Sequence, residues 1–151
     1  APSIGIRPNI VYGLARDQGM SSKNTVAIQA AVLDKSYKIP YTGKYSWLYA
    51  GEAALAFITS VSNDMVGSNV FNLNGSCETI ENGLKLIKEL KPNSSVTCEG
   101  QPLPFPPDLD DLPLSKYVGD YTSVSVQNGI EHTLRAFETL KSEGKCPDVP
   151  I

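Results

Sequence analysis

Short apolar runs alternate along the chain with longer segments whose apolar residues recur at helical spacing. The short runs predict β-strands at residues 3–12, 37–41, 69–74 and 95–98. The first three runs each lead into a turn that contains glycine. Pro8 lies inside the first run and has no amide proton, so we expect regular strand pairing to end or bulge there.

The longer segments predict helices at residues 25–34, 47–61 and 78–91 and a last one from about residue 125 to 143. Ser76 is the predicted cap of the third helix and Pro92 ends it, while Ser125 caps the last helix and Gly144 ends it. The second helix is apolar nearly all round and Glu52 is its only charge, so we expect neighbours to bury it on more than one side.

The alternation of strands and helices predicts an α/β fold with some parallel strand pairing. Residues 101–113 hold five prolines and are expected to form an irregular surface segment. The two best strands, at residues 3–11 and 69–73, both end in a turn, and ligands of open α/β sheets bind at the carboxyl ends of strands. The turns at residues 12–18 and 74–76 are therefore the candidate site.

Composition limits the class of protein. The chain has 151 residues, 41% hydrophobic and 19% charged, which indicates one globular domain and excludes disorder and coiled coil. A net charge of −3 without a basic run argues against nucleic acid and anionic membrane as partners. No apolar run approaches the ~18–20 residues of a membrane span, and the first residues do not resemble a signal peptide. The three cysteines match no zinc pattern and predict reduced thiols in a cytoplasmic protein.

Tyrosines and basic residues are concentrated around the first two turns, at Tyr12, Arg16, Lys38, Tyr41, Lys44, Tyr45 and Tyr49. A guanidinium group offers a planar fork for phosphate or carboxylate, and a tyrosine offers a ring face and a hydroxyl. Together they suit a polar ligand with an anionic group and a ring. The alternative is that the tyrosines pack with their hydroxyls at the surface and the basic groups are only solvated.

The sequence holds no self-contained catalytic set. The lone histidine, His132, falls on the side of the last helix opposite its apolar face and is expected to be solvated. The acidic run at Asp108, Asp110 and Asp111 lacks the glycine and glutamate of a calcium loop, so we predict a solvated loop and no metal. Neither a G-x-S-x-G nucleophile turn nor a phosphate-binding G-x-x-x-x-G-K-[ST] loop occurs in the sequence.

Five stretches carry a resemblance to a known family: IRPNIVYG at 6–13, RDQGMSS at 16–22, YSWLYAGEAALAFI at 45–58, VFNLNG at 70–75 and LSKYVGDYTSVSVQNGIEHTLRAF at 114–137. In this order they resemble the C-terminal, substrate-binding half of the extended short-chain dehydrogenase/reductases. These are the NAD(P)-dependent sugar epimerases and dehydratases. The match covers nearly the whole chain, and its specificity comes from the order of the motifs because each motif is degenerate.

The resemblance implies one α/β domain over residues 1–151, with residues 1–13 and 69–75 as the last strands of a Rossmann-like parallel sheet. The N-terminal dinucleotide-binding half of the family, with its glycine-rich turn and Tyr-x-x-x-Lys pair, has no counterpart in this sequence. NAD(P) is therefore expected only in a full-length relative. Whether this chain is an enzyme stays uncertain, and alone it is expected to be inactive.

The resemblance also assigns site residues. Pro8 and Asn9 correspond to positions beside the nicotinamide, and Tyr12, Arg16 and Gln18 correspond to positions that border the substrate.

Three positions depart from the pattern of members that act on nucleotide sugars. Ile10 replaces an asparagine, Tyr45 replaces a phosphate-binding arginine, and Glu52 replaces an aspartate. Lys44 or Arg16 could supply the missing charge for a nucleotide sugar, but a smaller sugar acid or sugar-like substrate is as plausible.

Two hypotheses of different class follow. The chain is part of a sugar epimerase or dehydratase that binds a sugar-type ligand, or it is a stand-alone, non-catalytic binding or oligomerisation module of the same fold. Because the first strand is expected to have unpaired edges, we predict a homo-oligomer or a complementing N-terminal half as the partner. A hydrolase outside the family has no supporting nucleophile or metal set in the sequence.

Overall fold

The structure, a computed structural model, describes residues 2–62, 64, 66–119, 121 and 123–149. The strands in this part of the chain are β1 (Ser3–Pro8), β2 (Val11–Tyr12), β3 (Tyr37–Ile39), β4 (Lys44–Tyr49), β5 (Ser68–Leu73), β6 (Ser76–Thr79) and β7 (Val96–Cys98). The helices are α1 (Lys23–Val32), α2 (Ala50–Val61), α3 (Ile80–Leu90), α4 (Leu112–Val118) and α5 (Val126–Ser142). A short 3-10 turn, Met20–Ser22, precedes α1.

The strands pair mostly in parallel, as the alternation of elements predicts. β1 runs parallel to β5 in a register that joins Ser3 to Ser68 and Pro8 to Leu73. β2 runs parallel to β4, β3 runs parallel to β7, and β6 completes the middle sheet antiparallel to β4. The prediction of an α/β fold with parallel pairing is confirmed. β1 ends at Pro8, as its missing amide proton predicts.

Trp47 lies at the centre of the main core and is fully buried. Its ring meets those of Tyr12 and Tyr45 edge-on, with centroid distances of 5.1 and 5.2 Å. α1, α3 and α5 contribute most of the remaining side chains of this core. A second, smaller cluster lies beside β1 and β5 and consists of Leu48, Ala53, Ala56, Leu73, Leu114 and Val118.

The last helix forms as its pattern predicts. The Ser125 side chain accepts a hydrogen bond from the backbone amide of Asn128 at 3.2 Å, which caps α5. The residues of its apolar face are buried at Val126, Ile130, Leu134 and Phe137. His132 is exposed, and its ring packs against that of Tyr49 with centroids 5.6 Å apart.

Several elements differ from the sequence prediction, and the first predicted strand, at residues 3–12, divides into β1 and β2. The second helix begins at Ala50, because Trp47–Tyr49 continue β4 between β2 and β6. The third begins at Ile80 and is capped by Thr79, whose side chain accepts from the amide of Asn82. The predicted cap, Ser76, starts strand β6 instead. α4 was not predicted because Pro113 sits in a proline-rich context, yet proline is well tolerated in a first helical turn.

The expectation that α2 is buried on more than one side is wrong for the described residues. Only one side of α2 is buried, by contacts with β1, β2 and β4, and it carries Glu52, Ala53, Ala56 and Ser60. The opposite side exposes large apolar residues, namely Leu55, Phe57, Ile58 and Val61. An all-round apolar pattern predicts contact on every side, but the elements described here cover only half of the helix.

Two smaller predictions concern membranes and thiols. Within the described residues, the helices are too short or too polar to cross a membrane. Cys77, Cys98 and Cys146 are free cysteines in the structure.

Candidate functional site

The carboxyl ends of β1 and β5 meet because the two strands are parallel and in register. The backbone amide of Asn9 donates to the carbonyl of Leu73 at 2.8 Å, directly after the last residue pair of the ladder. The Asn9 side-chain amide then donates to Oδ1 of Asn74, also at 2.8 Å. Asn9, directly after β1, and the predicted turn at residues 74–76 therefore lie side by side at one sheet edge. The other predicted turn, residues 12–18, follows β2 instead.

Asn74 joins this edge to two further segments. Its Oδ1 also accepts from the hydroxyl of Ser46 in β4 at 2.9 Å, and its Nδ2 donates to Asp108 at 2.9 Å and to the Gly75 carbonyl at 3.0 Å. The residue is 6% exposed, and these bonds satisfy its amide group. Asn74 thus fixes the end of β5 relative to β1, to β4 and to the proline-rich segment.

A cavity of about 330 Å³, here called the β1 cavity, opens where β1 ends. It is lined by Pro8, Asn9, Ile10, Val11, Arg16, Ser21, Phe105 and Pro106. The Asn9 amide donates a second bond, 3.1 Å long, to the carbonyl of Pro106. This bond holds the proline-rich segment against the strand end, so that segment forms one wall of the cavity.

Arg16 is the charged group of the β1 cavity. Its guanidinium donates to the carbonyl of Gln18 and, at 3.3 Å, to the hydroxyl of Ser21, and its backbone amide donates to the carbonyl of Gly13 at 3.1 Å. These bonds hold the side chain in a half-buried position beside the cavity. A guanidinium fixed in this way presents its remaining N–H groups to a carboxylate or phosphate.

Two of the predicted site residues, Tyr12 and Tyr45, lie in the main core. Tyr12 is fully buried and its hydroxyl donates to the carbonyl of Val126, while the Tyr45 hydroxyl donates to the carbonyl of Ser21 at 2.7 Å. Burial raises the pKa of both phenols, so both stay neutral hydrogen-bond donors. Tyr45 thereby positions the 3-10 turn that supplies Ser21 to the β1 cavity.

The predicted site residues are therefore distributed unevenly. Pro8, Asn9 and Arg16 line the β1 cavity together. Gln18 and Lys44 are exposed, Gln18 in the loop that Arg16 holds and Lys44 at the start of β4. Direct ligand contact by Gln18, Lys44 or the two core tyrosines stays a prediction.

The β1 cavity also contains residues that were not predicted as site residues, namely Ile10, Val11, Ser21, Phe105 and Pro106. Phe105 and Pro106 belong to the proline-rich segment, and Ser21 belongs to a polar loop. The available signal was weak: Phe105 is an aromatic residue flanked by prolines, a context typical of an irregular surface segment. It is 43% exposed beside the cavity.

The acidic run forms fold contacts. Asp108 accepts from Asn74, Asp110 accepts from the amide of Leu112, and Asp111 accepts from the Asn74 amide and the Tyr121 hydroxyl. In the part of the chain that the structure describes, no group of three or more histidine, cysteine, aspartate or glutamate residues is placed to hold a metal ion.

Comparisons with known proteins match the fold but not the sequence. No family model matches this sequence, and no curated protein does. A UDP-glucuronic acid 4-epimerase from Bacillus cereus, solved with UDP-glucuronic acid and NAD, superposes with a TM-score of 0.72 at 17% identity, over 89% of this chain and 45% of that one. UDP-N-acetylglucosamine 4-epimerase from Bacillus cereus superposes with a TM-score of 0.68 at 16% identity, over 97% of this chain and 47% of that one. UDP-glucose 4-epimerase from Thermotoga maritima, solved with UDP-glucose, superposes with a TM-score of 0.71 at 17% identity, over 91% of this chain and 46% of that one.

These matches confirm the predicted resemblance at the level of fold. The chain has a partial Rossmann-like α/β fold, which it shares with about half of each UDP-sugar 4-epimerase chain. It spans slightly less than half the length of the epimerase chains that it matches.

Proposed function

We propose that this chain is the substrate-binding half of an NAD(P)-dependent sugar epimerase or dehydratase-like protein. It binds a sugar or sugar acid in the β1 cavity and is not catalytically complete alone. The observation that supports this most is the position of the cavity. It lies at the carboxyl ends of parallel strands, with Arg16 in its wall, in a fold shared with UDP-sugar epimerases. Its free thiols fit a cytoplasmic protein.

The chemistry of the β1 cavity suits an oxidised sugar. Arg16 binds a carboxylate or phosphate, and the Phe105 ring offers an apolar face for the C–H groups of a sugar. Both amide hydrogens of Asn9 already have partners, so its Oδ1 is the atom left to accept a sugar hydroxyl. At about 330 Å³ the cavity lies at the small end of ligand sites, which favours one sugar ring over a whole nucleotide sugar.

The residues present fit only the nicotinamide edge of a dinucleotide. Pro8 and Asn9 line the β1 cavity and would lie beside that ring, whereas the sequence has no glycine-rich turn for the phosphates. When bound, NAD(P) supplies hydride transfer to and from the sugar carbon. We assign residues 1–13 and 69–75 to the end of the dinucleotide sheet and the whole chain to one domain. The missing Tyr-x-x-x-Lys pair leaves this chain without the family's proton donor.

Arg16→Gln is expected to weaken binding of glucuronic acid at least about 10-fold, because it removes a charge-assisted hydrogen bond. Arg7→Gln is the matched control, since Arg7 is an exposed arginine on β1. Binding is measured by NMR titration of the ¹⁵N-labelled chain with glucuronic acid, with glucose and with NADH. The amides of Asn9, Arg16 and Ser21 are expected to shift with the sugar acid, and more weakly with glucose.

Equal losses in the two arginine variants, or no saturable shift around the β1 cavity, would refute the sugar-acid site. Tight binding of NADH with a change in Trp47 fluorescence would show that the chain holds the dinucleotide by itself. In that case the assignment to a substrate-binding half fails, whatever the sugar titration gives.

The exposed face of α2 supports a second candidate, a non-catalytic oligomerisation module. Phe57, Ile58 and Val61 are 44, 59 and 72% exposed. Such a face is typical of a surface that a partner covers. In the proposed half-enzyme the partner is the complementing half, and in the module it is a second copy.

Light scattering across a wide concentration range distinguishes the two. For the module we expect a dimer or larger species that Phe57→Glu and Ile58→Glu dissociate, because each places an unpaired charge in the apolar contact. Lys85→Glu, on the exposed side of α3, is the control and leaves the mass unchanged. A monomer at every concentration contradicts the module.

A further inference from the structure

A second cavity, here called the β5 cavity, lies on the other side of Asn74. It measures about 360 Å³ and is lined by Glu52, Asn74, Gly75, Ser76, Asp111, Leu112, Ser115, Tyr121 and Ser123. The start of α2, the turn after β5, the start of α4 and the segment before α5 all contribute to it. The predicted turn at residues 74–76 forms part of its wall, but the proposed sugar site does not account for this collection of polar groups.

Glu52 is the unusual member of the β5 cavity. Its side chain is 97% buried, given a relative exposure of 3%, and its Oε2 has no hydrogen-bond partner among the described residues. The backbones of Val124 and of Tyr49, the residue before α2, favour the ionised carboxyl and partly offset the effect of burial on its pKa. A buried carboxylate oxygen that is left unpaired is costly, unless something in the cavity donates to it.

Two hydroxyls of the β5 cavity are also left as acceptors. The Tyr121 hydroxyl already donates to Asp111 at 3.1 Å, and the Ser115 hydroxyl donates to the carbonyl of Leu112 at 3.0 Å. Each of these hydroxyls already donates its one proton, so its oxygen can only accept a further hydrogen bond. Asp111 adds a second carboxylate. A ligand that complements this cavity therefore brings N–H or O–H donors and a positive charge.

We propose that the β5 cavity is a binding site for a small organic ammonium ion, held by Glu52 and Asp111 with the hydroxyls of Tyr121, Ser115 and Ser123. A primary ammonium group has three donors and one positive charge, so it satisfies Oε2 of Glu52 and neutralises the paired acidic charge at once. The site is distinct from the β1 cavity and does not depend on the sugar proposal. Asn74 separates the two cavities.

The site also couples binding to pH. Burial is the main reason that the pKa of Glu52 rises to about 7, and the charge of Asp111 adds to it. The other ionisable groups that interact with Glu52 in the described chain are Tyr12 from β2 and Tyr121 from the segment after α4. Both are neutral phenols in this range. An ammonium ion favours the ionised carboxyl, so its affinity is expected to rise on the order of 10-fold between pH 5.5 and 8.

The test compares 1,4-diaminobutane with 1,4-butanediol, which has nearly the same length and carries hydroxyls in place of the ammonium groups. NMR titrations of the full chain at pH 8 and pH 5.5, at constant ionic strength set with KCl, need no variant. We expect the diamine to shift the amides of Glu52, Asp111 and Ser123 in a saturable way. The diol is expected to bind at least 10-fold more weakly.

Three variants assign the interaction to the cavity. Glu52→Gln is expected to weaken binding of the diamine at least 10-fold and to abolish the pH dependence of its affinity. Tyr121→Phe is expected to weaken binding of the diamine several-fold and to leave the pH dependence of its affinity intact. The proposal therefore stays testable if Glu52→Gln does not fold. Glu89→Gln, at an exposed carboxylate of α3, is the control and leaves affinity unchanged.

Equal binding of diol and diamine would overturn the ammonium proposal, as would shifts confined to residues outside the β5 cavity. Saturable displacement of the diamine by MgCl2 at low concentration would assign the site to an inorganic cation instead. A diamine affinity independent of pH, or equally reduced by Glu89→Gln, would show only general attraction to a chain of net charge −3.

Discussion

Gly75→Ala is expected to destabilise the fold by more than about 3 kcal/mol, or to prevent folding, because the new methyl group has no space. A Cβ at this position lies 2.3 Å from the backbone of Trp47 and Leu48 in β4. Backbone atoms inside a sheet cannot rotate away as a flexible side chain can. The turn between β5 and β6 must then move off β4, which also breaks the bond from the Gly75 amide to Ser46 at 3.2 Å.

Urea denaturation gives the measurement, with Gly144→Ala as the matched control. Gly144 follows α5 at a φ of +66°, and nothing lies within 4 Å of a Cβ built on it. Alanine there carries only the cost of the left-handed backbone, about 1 kcal/mol. If Gly75→Ala and Gly144→Ala lower the free energy of unfolding by the same amount, Gly75 is not needed for close packing of the turn against β4.

The fold was predictable where a local rule and the tertiary contacts agree. Pro8 ends β1, and Ser125 caps a helix whose apolar face is buried, because both effects need only neighbours in sequence. Trp47–Tyr49 were assigned wrongly to a helix because aromatic and aliphatic residues in a row suit a buried helix and a buried strand equally. These residues form a strand because they belong to β4, which pairs with β2 and β6, and both of these strands are distant in sequence.

The candidate site was predictable only along its strands. The rule for carboxyl ends of parallel strands marks the turns at residues 12–18 and 74–76. The structure places Asn74 in contact with Asn9, which only the family resemblance had marked. Phe105 and Pro106 reach the β1 cavity through an irregular segment almost 100 residues away, for which periodicity carries no information. Glu52 stood out as the only charge of its helix, but its unpaired oxygen depends on how α2, α4 and the segment at Val124 come together.

Glu52→Gln is expected to change the pH dependence of stability by about 3 kcal/mol between pH 4.5 and 8. Folding raises the pKa of Glu52 from its usual value near 4.5 to about 7, so the folded state holds the proton more tightly than the unfolded state does. The stabilising contribution is complete below about pH 4.5 and is lost as the pH rises through 7. A difference of about 2.5 units corresponds to about 3 kcal/mol, since each unit is worth about 1.4.

The measurement is the free energy of unfolding in urea at several pH values, for the wild type and for Glu52→Gln. Glutamine has the shape of the protonated carboxyl and does not titrate, so subtracting the two curves removes every other group, His132 included. The wild type is expected to lose about 3 kcal/mol relative to the variant across this range. A flat difference for Glu52→Gln would mean that the carboxyl ionises as it does in water, which contradicts its burial beside Asp111 and removes the basis for a pH-linked ammonium site.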